Sequence, residues 1–319
     1  MPSSRSGHHG DVGYAFEPSY NTAPSSPEIK VFGSNATMDT FEGGRQAERK
    51  YNASRRAAEI ISQNFDGGWG VSFELSEPPW WLAAAYGQPA STNVAESLYD
   101  HTYDLDNGND PVPLRLYAPT EGYNDYYVVP GCWLVSVSVD QSENGSPEIS
   151  LTGGYADEPI AESGVDTSIP DFSTSTYSNR DAELQVDGDT VGRVQTTTLS
   201  LETGAEGVSE IGTDSMVDFT TGAFEPSITY DKIRFLDETV DFLDRFGSEA
   251  SVAVNLKYDN GETDDSQYVV TWEVIDSFPD SWSESGRNDP DARLEQELQD
   301  MGRDARAIVT VAEESPPGV

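Results

Sequence analysis

The chain has 319 residues and a formal net charge of −39, with 57 acidic residues against 18 basic ones. Its length fits one large domain or two of about 150 residues. A content of 15 Tyr, 12 Phe and 6 Trp is enough for a hydrophobic core, so the composition excludes a simple disordered acidic chain. Because acidic residues are spread along the whole sequence, the surface repels phosphate, and a general DNA-binding protein is excluded as well.

Lysine is rare in this chain, which contains only Lys30, Lys50, Lys232 and Lys257. A uniformly acidic surface that is poor in lysine is typical of proteins that fold in concentrated salt. There the carboxylates keep the surface hydrated while salt screens their mutual repulsion. The alternative is an ordinary acidic protein that folds at low salt.

The first half of the chain predicts strands with one short helix. Residues 1–27 are rich in Ser, Gly and Pro and are predicted to form an extended arm. Alternating apolar residues predict strands, and Asn144 and Gly145 predict a hairpin turn between the last two of them. These strands are EIKVFGS, WGVSFEL, PLRLYA, YYVVPGCWLVSVSV and PEISLTGGY. The stretch EPPWWLAAAYG opens with two prolines and closes on Gly87, which predicts a short helix.

The second half repeats this order of elements. Two strands, RVQTTTLSLETG and FEPSITYDKIRF, precede an amphipathic helix, DETVDFLDRFG, and two more strands flank a turn at Asn260 and Gly261. The repeated order predicts an internal duplication. The predicted organisation is an N-terminal arm at 1–27, a first domain at 28–160, a linker at 161–190 and a second domain at 191–319.

The sequence contains no motif for catalysis, and we expect neither a catalytic residue nor a cofactor. His8, His9 and His101 lie in polar segments, and no motif of an activated nucleophile or a zinc protease occurs. The segment DLDNGND at 104–110 resembles a calcium loop, but its glycine comes one place too early, so we expect a solvated acidic loop and no metal site. Cys132 lies in an apolar strand and is predicted to be a buried thiol.

No targeting or membrane segment is expected either. No apolar run approaches the roughly 18 residues of a membrane span, and the N-terminal residues lack the apolar core of a signal peptide.

Two features could bind a partner. The segment GGRQAERKYNASRRAAEII at 43–61 concentrates basic residues, namely Arg45, Arg49, Lys50, Arg55 and Arg56. It could be a nucleic-acid patch, or a surface loop whose charges pair with nearby acids such as Glu42, Glu48 and Glu59. Trp80 and Trp81 could bind a ligand such as a glycan. As neighbours on a short helix they cannot face the same way, so we expect one in the core and the other at an assembly contact.

The order of these elements is familiar. The elements are, in order, an arm, a strand, a long segment beginning Gly-Gly-Arg, WGVSFEL, PPWWLAAAYG, a loop with HTYDL, PLRLYA and YYVVPGCWLVSVSV…PEISLTGG. Residues 27–158 carry most of the likeness. This order resembles the tail tube protein of long-tailed viruses, in the form whose chain carries two copies of the tube fold. With the acidic composition, it resembles that of a siphovirus-like haloarchaeal virus.

The resemblance implies a mainly β fold with short helices, built as two tandem β-sandwich or partly rolled barrel domains, each with one flanking helix. It implies a structural protein of the virion tail, not an enzyme, assembled in the host cytoplasm. Copies of the chain would form stacked homotrimeric, pseudo-sixfold rings, with hexameric rings as the alternative, around an acidic channel for DNA. Other partners would be the tape measure, terminator and baseplate proteins, and no membrane is involved.

In this family the segment at 43–61 would reach a neighbouring subunit, where Arg45, Arg49, Lys50, Arg55 and Arg56 would meet acidic surface. Trp80 and Trp81 would add an assembly contact. Three alternatives stay open: a β-sandwich surface module that binds glycans, a hydrolase adapted to salt, and a related tail part such as a terminator or baseplate hub.

The charge predicts that stability depends on salt. Lowering the salt concentration from molar to about 0.1 M should loosen the fold or the assembly, because unscreened carboxylates repel each other. Thermal unfolding followed by circular dichroism across this range measures the effect. An unchanged unfolding temperature would contradict the adaptation to salt.

Overall fold

In a computed structural model, the chain is mainly β, with one complete short α-helix and two 3-10 turns among the residues that the structure describes. Those residues are 12–51, 57–76, 78–95, 97–119, 125–163, 177, 180–191, 194–233, 245–247, 250–263, 266–285 and 295–312. Of 46–51, 57–64, 119, 125, 162–163 and 232–233 only the backbone is described.

The first half of the chain contains ten strands and the helix α1 at Ala83–Tyr86, which continues a 3-10 turn at Trp80–Leu82. The strands are β1 (Gly13–Phe16), β2 (Lys30–Val31), β3 (Ser34–Tyr51), β4 (Ala57–Glu74), β5 (Ala90–Ala95), β6 (Leu98–Tyr103), β7 (Leu114–Pro119), β8 (Asp125–Ser142), β9 (Glu148–Tyr155) and β10 (Ile160–Ser163). A second 3-10 turn lies at Leu105–Asn107.

The second half adds ten strands. They are β11 (Ala182–Val186), β12 (Asp189–Thr190), β13 (Val194–Glu202), β14 (Glu206–Val208), β15 (Asp218–Thr220), β16 (Glu225–Ile233), β17 (Val252–Asp259), β18 (Val269–Ser285), β19 (Glu295–Met301) and β20 (Asp304–Val311). All strand pairs of the described residues are antiparallel, so the sheets grow by hairpins and return connections.

Apart from the β5–β6 and β14–β15 pairings, the strand pairings within the two halves correspond one to one. In the first half β1 pairs with β2 and β7, β3 with β4, β4 with β9, and β8 with β7, β9 and β10. In the second half β11 pairs with β12 and β17, β13 with β16, β16 with β19, and β18 with β17, β19 and β20. The chain therefore contains two copies of one strand arrangement, which we call unit 1 and unit 2.

The correspondence extends to single residues. In unit 1 Trp133 pairs with Gly154 ahead of a register shift in β8. In unit 2 Phe278 pairs with Met301 ahead of a shift at the same place in β18. The residues at Gly131 and Asp276 both have positive φ angles, of 59° and 49°. These matches make Phe278 the counterpart of Trp133, and Met301 the counterpart of Gly154.

Strands of the two units pair with each other across the boundary between the units. β8 of unit 1 pairs with β13 of unit 2, and β6 of unit 1 pairs with β20 of unit 2. The first pairing creates one continuous sheet in the order β3-β4-β9-β8-β13-β16-β19-β18, which we call the shared sheet. The sheets do not close into a barrel within one chain.

One face of the shared sheet packs on a continuous core. Alternate residues of each strand point inward, as a half-buried sheet requires, and they meet α1 and the strands behind it. Trp69, Trp81, Tyr86, Tyr230 and Trp272 are among its largest fully buried side chains. Aromatic contacts hold the layers together, as where Phe73 meets Trp81 edge to face at 5.9 Å between ring centroids.

The predicted fold class, mainly β with short helices, is confirmed. The boundaries differ in two places, since β1 lies in the predicted arm and β11 in the predicted linker, yet both pair with strands of a unit. The segment at 43–61 is largely β-hairpin rather than loop, because β3 and β4 run on through it as far as Tyr51 and Ala57. The predicted helix DETVDFLDRFG lies mostly outside the described residues, of which Arg245 and Phe246 are helical.

The close packing beneath Trp133 predicts a strong effect for one glycine. A Cβ at Gly153 would lie 2.0 Å from the Trp133 carbonyl oxygen, whereas a Cβ at Gly44 would meet nothing within 4 Å. Gly153→Ala should therefore lower the free energy of unfolding by about 3 kcal/mol, and the control Gly44→Ala should change it by less than about 0.5 kcal/mol. Denaturant titration in high salt measures both. Equal effects would refute this packing.

Candidate assembly surfaces

The residues considered for chemistry have structural roles. His101 is buried with its Nδ1 at 2.8 Å from the Ser91 hydroxyl, and Trp80 meets its ring edge to face. The Asp104 carboxylate accepts a hydrogen bond from the Asp106 amide and caps the 3-10 turn. Burial raises the pKa of the Cys132 thiol, which keeps it protonated and unreactive. Within the described ranges, no group of three or more His, Cys, Asp or Glu could hold a metal ion.

Trp80 and Trp81 both lie in the core. Their exposed fractions are 5% and 1%, because the 3-10 turn and α1 place both rings against β-sheet residues, with Phe73 and His101 as ring partners. The structure does not support the expectation that one of them faces a neighbouring subunit. Our premise that adjacent side chains on a helix must diverge holds for an isolated helix, but this helix is surrounded on all sides.

Arg45 pairs within its own chain. Its Nε donates to Glu158 at 3.1 Å, and its Nη1 donates to the Asp214 carbonyl at 3.1 Å, with Asp157 and the Asp214 carboxylate at 4.0 and 3.7 Å. The hydrogen bond to Glu158 raises the pKa of Arg45. These acids come from the end of unit 1 and from unit 2, so Arg45 joins the two units.

The other basic residues of this segment are only partly placed. Arg49 and Lys50 belong to β3, opposite Ile60 and Glu59 of β4, and their side chains are not described. Arg55 and Arg56 lie outside the described residues. Their contact with a neighbour stays a prediction.

The junction between the units is a complete strand pair. β13 lies beside β8 with Thr196 opposite Ser142, Leu199 opposite Val139 and Glu202 opposite Ser136. Leu199, Leu201, Val137 and Val139 are buried on the core side. On the other side Thr198 donates to Asp140 at 2.6 Å. This pairing satisfies the backbone groups of two strands that would otherwise be edges.

Two other edges of the shared sheet have no strand partner among the described residues. One is the outer edge of β3, which corresponds to β13, and the other is the outer edge of β18 at 278–285, which corresponds to the part of β8 that β13 covers. The chain therefore contains one filled junction and the two halves of a second one. Long unpaired edges like these are templates for pairing with another chain.

A second feature of the filled junction is a segment that docks on unit 1. Residues 203–224, the docked segment, connect β13 to β16 and carry the β14–β15 hairpin. The Thr203 hydroxyl donates to the Leu134 carbonyl at 2.7 Å, and the Met216 amide donates to the Ala156 carbonyl at 3.0 Å. Phe219 stacks on Trp133 with 6.3 Å between centroids and 8° between the ring planes.

The docked segment hides Trp133, whose exposed fraction is 6%. A Cβ at Gly207 would lie 2.7 Å from the Trp133 ring, so the backbone there approaches the indole closely. In unit 2 the counterparts Phe278 and Met301 are 47% and 52% exposed. The same place in the fold is thus covered in one unit and bare in the other.

Beneath this bare place lies a buried ionic cluster. The Asp300 carboxylate accepts a hydrogen bond from Tyr230 at 2.8 Å and pairs with Arg245 at 3.4 Å, while Arg245 also donates to the Ser277 carbonyl at 2.8 Å. Burial raises the pKa of Asp300 although Tyr230 and Arg245 act against the rise. A second buried ion pair lies in unit 1, where Glu17 pairs with Arg115 at 2.8 Å and burial raises the pKa of Glu17.

The outer face of the shared sheet is polar and acidic. Its alternate positions carry Ser and Thr, such as Ser136, Ser138 and Thr152, and a row of carboxylates. These acids are Glu42, Asp66, Glu74, Asp140, Glu148, Glu202, Glu225, Asp231, Glu295 and Glu297. Among the side chains described on this face, none is Lys or Arg.

Sequence reasoning missed Phe278, Met301 and the two free edges. The alternation of serine in VSVSV and again in DSWSES, which marks equivalent outer faces of β8 and β18, is a signal that could have pointed to the second junction. Exposure of an apolar side chain, by contrast, depends on which segment covers it. That cannot be deduced from the residue itself.

A duplicated β unit with an internal junction and two complementary free edges is the architecture of a structural, self-associating protein. The chain belongs to the phage tail tube protein family, since the family model described as "Phage tail tube protein" matches residues 7–307. This family is structural and not enzymatic, so the chain is a structural protein of the virion tail. No curated protein matches the chain. No helix within the described ranges is long and apolar enough to cross a membrane.

The raised pKa of Asp300 predicts a pH dependence. A carboxyl whose pKa is higher in the folded than in the unfolded state stabilises the fold fully below its unfolded pKa of about 4, and this contribution is lost as pH rises through the folded pKa. Asp300→Asn removes this pH-dependent contribution to the free energy of unfolding. Between about pH 4.5 and 7 the free energy of unfolding should therefore fall less in the variant than in the unchanged protein.

Denaturant titrations at several pH values in constant high salt measure the difference. The exposed substitution Glu210→Gln is the control for the loss of one carboxylate. The same slope in Asp300→Asn and the unchanged protein would contradict the role of burial at this site.

Proposed function

We propose that this chain builds the tail tube by head-to-tail pairing, with β3 of one copy filling the free edge of β18 in the next. The observation that carries the proposal is the filled junction between β8 and β13 inside the chain. Because β3 corresponds to β13 and β18 to β8, the same contact can form between copies with no new type of interaction. Each addition leaves another pair of free edges until a ring closes.

The internal junction also supplies the register. Ser200 corresponds to Glu42 through their partners Ser227 and Gly68, and Ser138 corresponds to Ser283 through their positions after the register shifts. Ser200 lies opposite Ser138, so we expect Glu42 opposite Ser283. One step along, Gly43 would face Trp282, where a glycine and a large ring replace the internal pair of Leu201 and Val137.

A ring of three chains contains six units and gives pseudo-sixfold symmetry, and a ring of six chains is the alternative. Either ring exchanges all free edges for strand pairs. The outer face of the shared sheet would then line the channel, since the core and the strands behind it occupy the other side. Its carboxylates would repel phosphate, so that DNA moves past without adhering.

Stacked rings would complete the tube, and further contacts between neighbouring copies would add to the strand pairing. The long β3–β4 hairpin, with Arg49, Lys50, Arg55 and Arg56, is the element we propose to contact acidic surface of another copy. Its charges would set register and partner choice more than affinity. We propose the terminator, the baseplate and the tape measure protein as the other partners of the tube. The acidic composition fits a haloarchaeal virus that ejects DNA through this channel.

Cysteine cross-linking tests the strand pairing. The chain has a single cysteine, Cys132, which is buried. Cross-links therefore come from the introduced cysteines. Glu42→Cys combined with Ser283→Cys should give covalent dimers and larger species under mild oxidation in high salt, because opposite residues have Cβ atoms about 5 Å apart. Denaturing gel electrophoresis detects them, and electron microscopy should show rings or tubes.

Matched variants control this experiment. Ser138→Cys with Ser200→Cys lies at the internal junction and should close within one chain without raising the mass. Glu42→Cys with Ser281→Cys is displaced along the same face and should cross-link less. Monomers alone in the microscope, with no cross-link in the Glu42 and Ser283 pair, would refute the proposed assembly.

A further inference from the structure

We infer that Phe278 and Met301 form a docking site for the β3–β4 hairpin of a neighbouring copy. The inference rests on the proposed ring and adds a contact that strand pairing alone does not require. It starts from an exposed apolar pair on adjacent strands, which lie directly opposite each other and are 47% and 52% exposed. Exposed large apolar neighbours at the end of a sheet edge are typical of a contact surface.

The occupant follows from the internal junction. In unit 1 the counterpart of Phe278 is Trp133, which is covered by the docked segment at 203–224. That segment connects β13 to β16, and the corresponding connection in unit 1 runs from β3 to β4. If β3 of one copy takes the place beside β18 that β13 takes beside β8, its connection arrives over Phe278 and Met301.

The β13–β16 connection and the β3–β4 connection begin and end at equivalent strand pairs. Glu202 pairs with Glu225 at the start of the docked segment, and Gly44 pairs with Asp66 at the equivalent place in the β3–β4 hairpin. They are also close in length, spanning 203–224 and 45–65. The hairpin carries Ile60 and Ile61 on β4, opposite Arg49 and Glu48 of β3, so its sequence contains apolar residues that an apolar site could accept.

The surroundings of the two sites support the same correspondence. The Ala156 amide donates to the Pro130 carbonyl at 3.2 Å, and at the equivalent place the Arg303 amide donates to the Ile275 carbonyl at 3.1 Å. The backbone that receives the docked segment in unit 1 is therefore repeated in unit 2. The chemistry of the site selects a second copy of this chain rather than a polar ligand, because both side chains at its centre are apolar.

Photo-cross-linking tests the docking site directly. Benzoylphenylalanine placed at position 278 in otherwise unchanged protein should capture residues within 45–65 of another chain. Mixing isotope-labelled and unlabelled chains before illumination distinguishes capture between copies from capture within one chain, as read by mass spectrometry of the joined peptides. Capture within one chain, or of a region outside that hairpin, would overturn the inference.

A substitution gives the second readout. Phe278→Glu should reduce the yield of rings by about tenfold or more, as expected for loss of a central apolar contact, while the conservative Phe278→Leu should keep most of it. Leu105→Glu, at an exposed apolar residue in the 3-10 turn at Leu105–Asn107, is the control for adding one charge at an exposed apolar position. Circular dichroism verifies folding.

The cross-link between Glu42→Cys and Ser283→Cys separates the two hypotheses. Rings that form with this cross-link, and that tolerate Phe278→Glu without loss, would overturn the docking site and leave the strand pairing intact. If the unchanged protein forms no rings and the variant with Glu42→Cys and Ser283→Cys gives no cross-link, the assembly itself is refuted. Loss of rings in Phe278→Glu but not in Phe278→Leu or Leu105→Glu supports the docking site.

Discussion

The structure depends on one constraint: the backbone N–H and C=O groups along a strand edge need partners. In most sheet proteins the edges are short, charged or covered. Here two long edges have no strand partner among the described residues, while another pair of edges of the same kind is joined between β8 and β13. The contrast inside one molecule matters, because the closed junction defines what the open edges can accept, in strand direction, register and face.

Duplication makes this possible. Units on separate chains would meet only at contacts between chains. Two units in one chain make this contact once within the chain and, in the proposed ring, once between chains. The residues at the two positions differ within the same backbone. Trp133 is buried and stacked on Phe219, whereas Phe278 and Met301 are apolar and exposed. Exposed apolar neighbours are typical of a position that is covered when chains associate.

Much of the fold could be predicted from the sequence. The alternation in WGVSFEL and in YYVVPGCWLVSVSV marks β4 and β8, and the turn at Asn144 and Gly145 leads to β9. The repeated order indicated two copies. The site was less predictable, because the length of the β3–β4 hairpin depends on tertiary pairing in a glycine-rich, charged stretch without alternation. The burial of both Trp80 and Trp81 depends on layers that sequence spacing does not reveal.

Charge sets the conditions under which the edges can pair. Ten carboxylates on one sheet face, with no basic side chain described among them, would repel each other more strongly when several copies bring those faces together around a channel. The apolar contacts and backbone hydrogen bonds of each junction must outweigh that repulsion. Salt screens the repulsion between charges that lie farther apart than the Debye length, which is about 3 Å at 1 M. In the proposed tube, a surface that keeps DNA from adhering would thus oppose the assembly that creates the channel. Concentrated salt would resolve the conflict by weakening the repulsion between chains while leaving the short-range packing of the junctions in place.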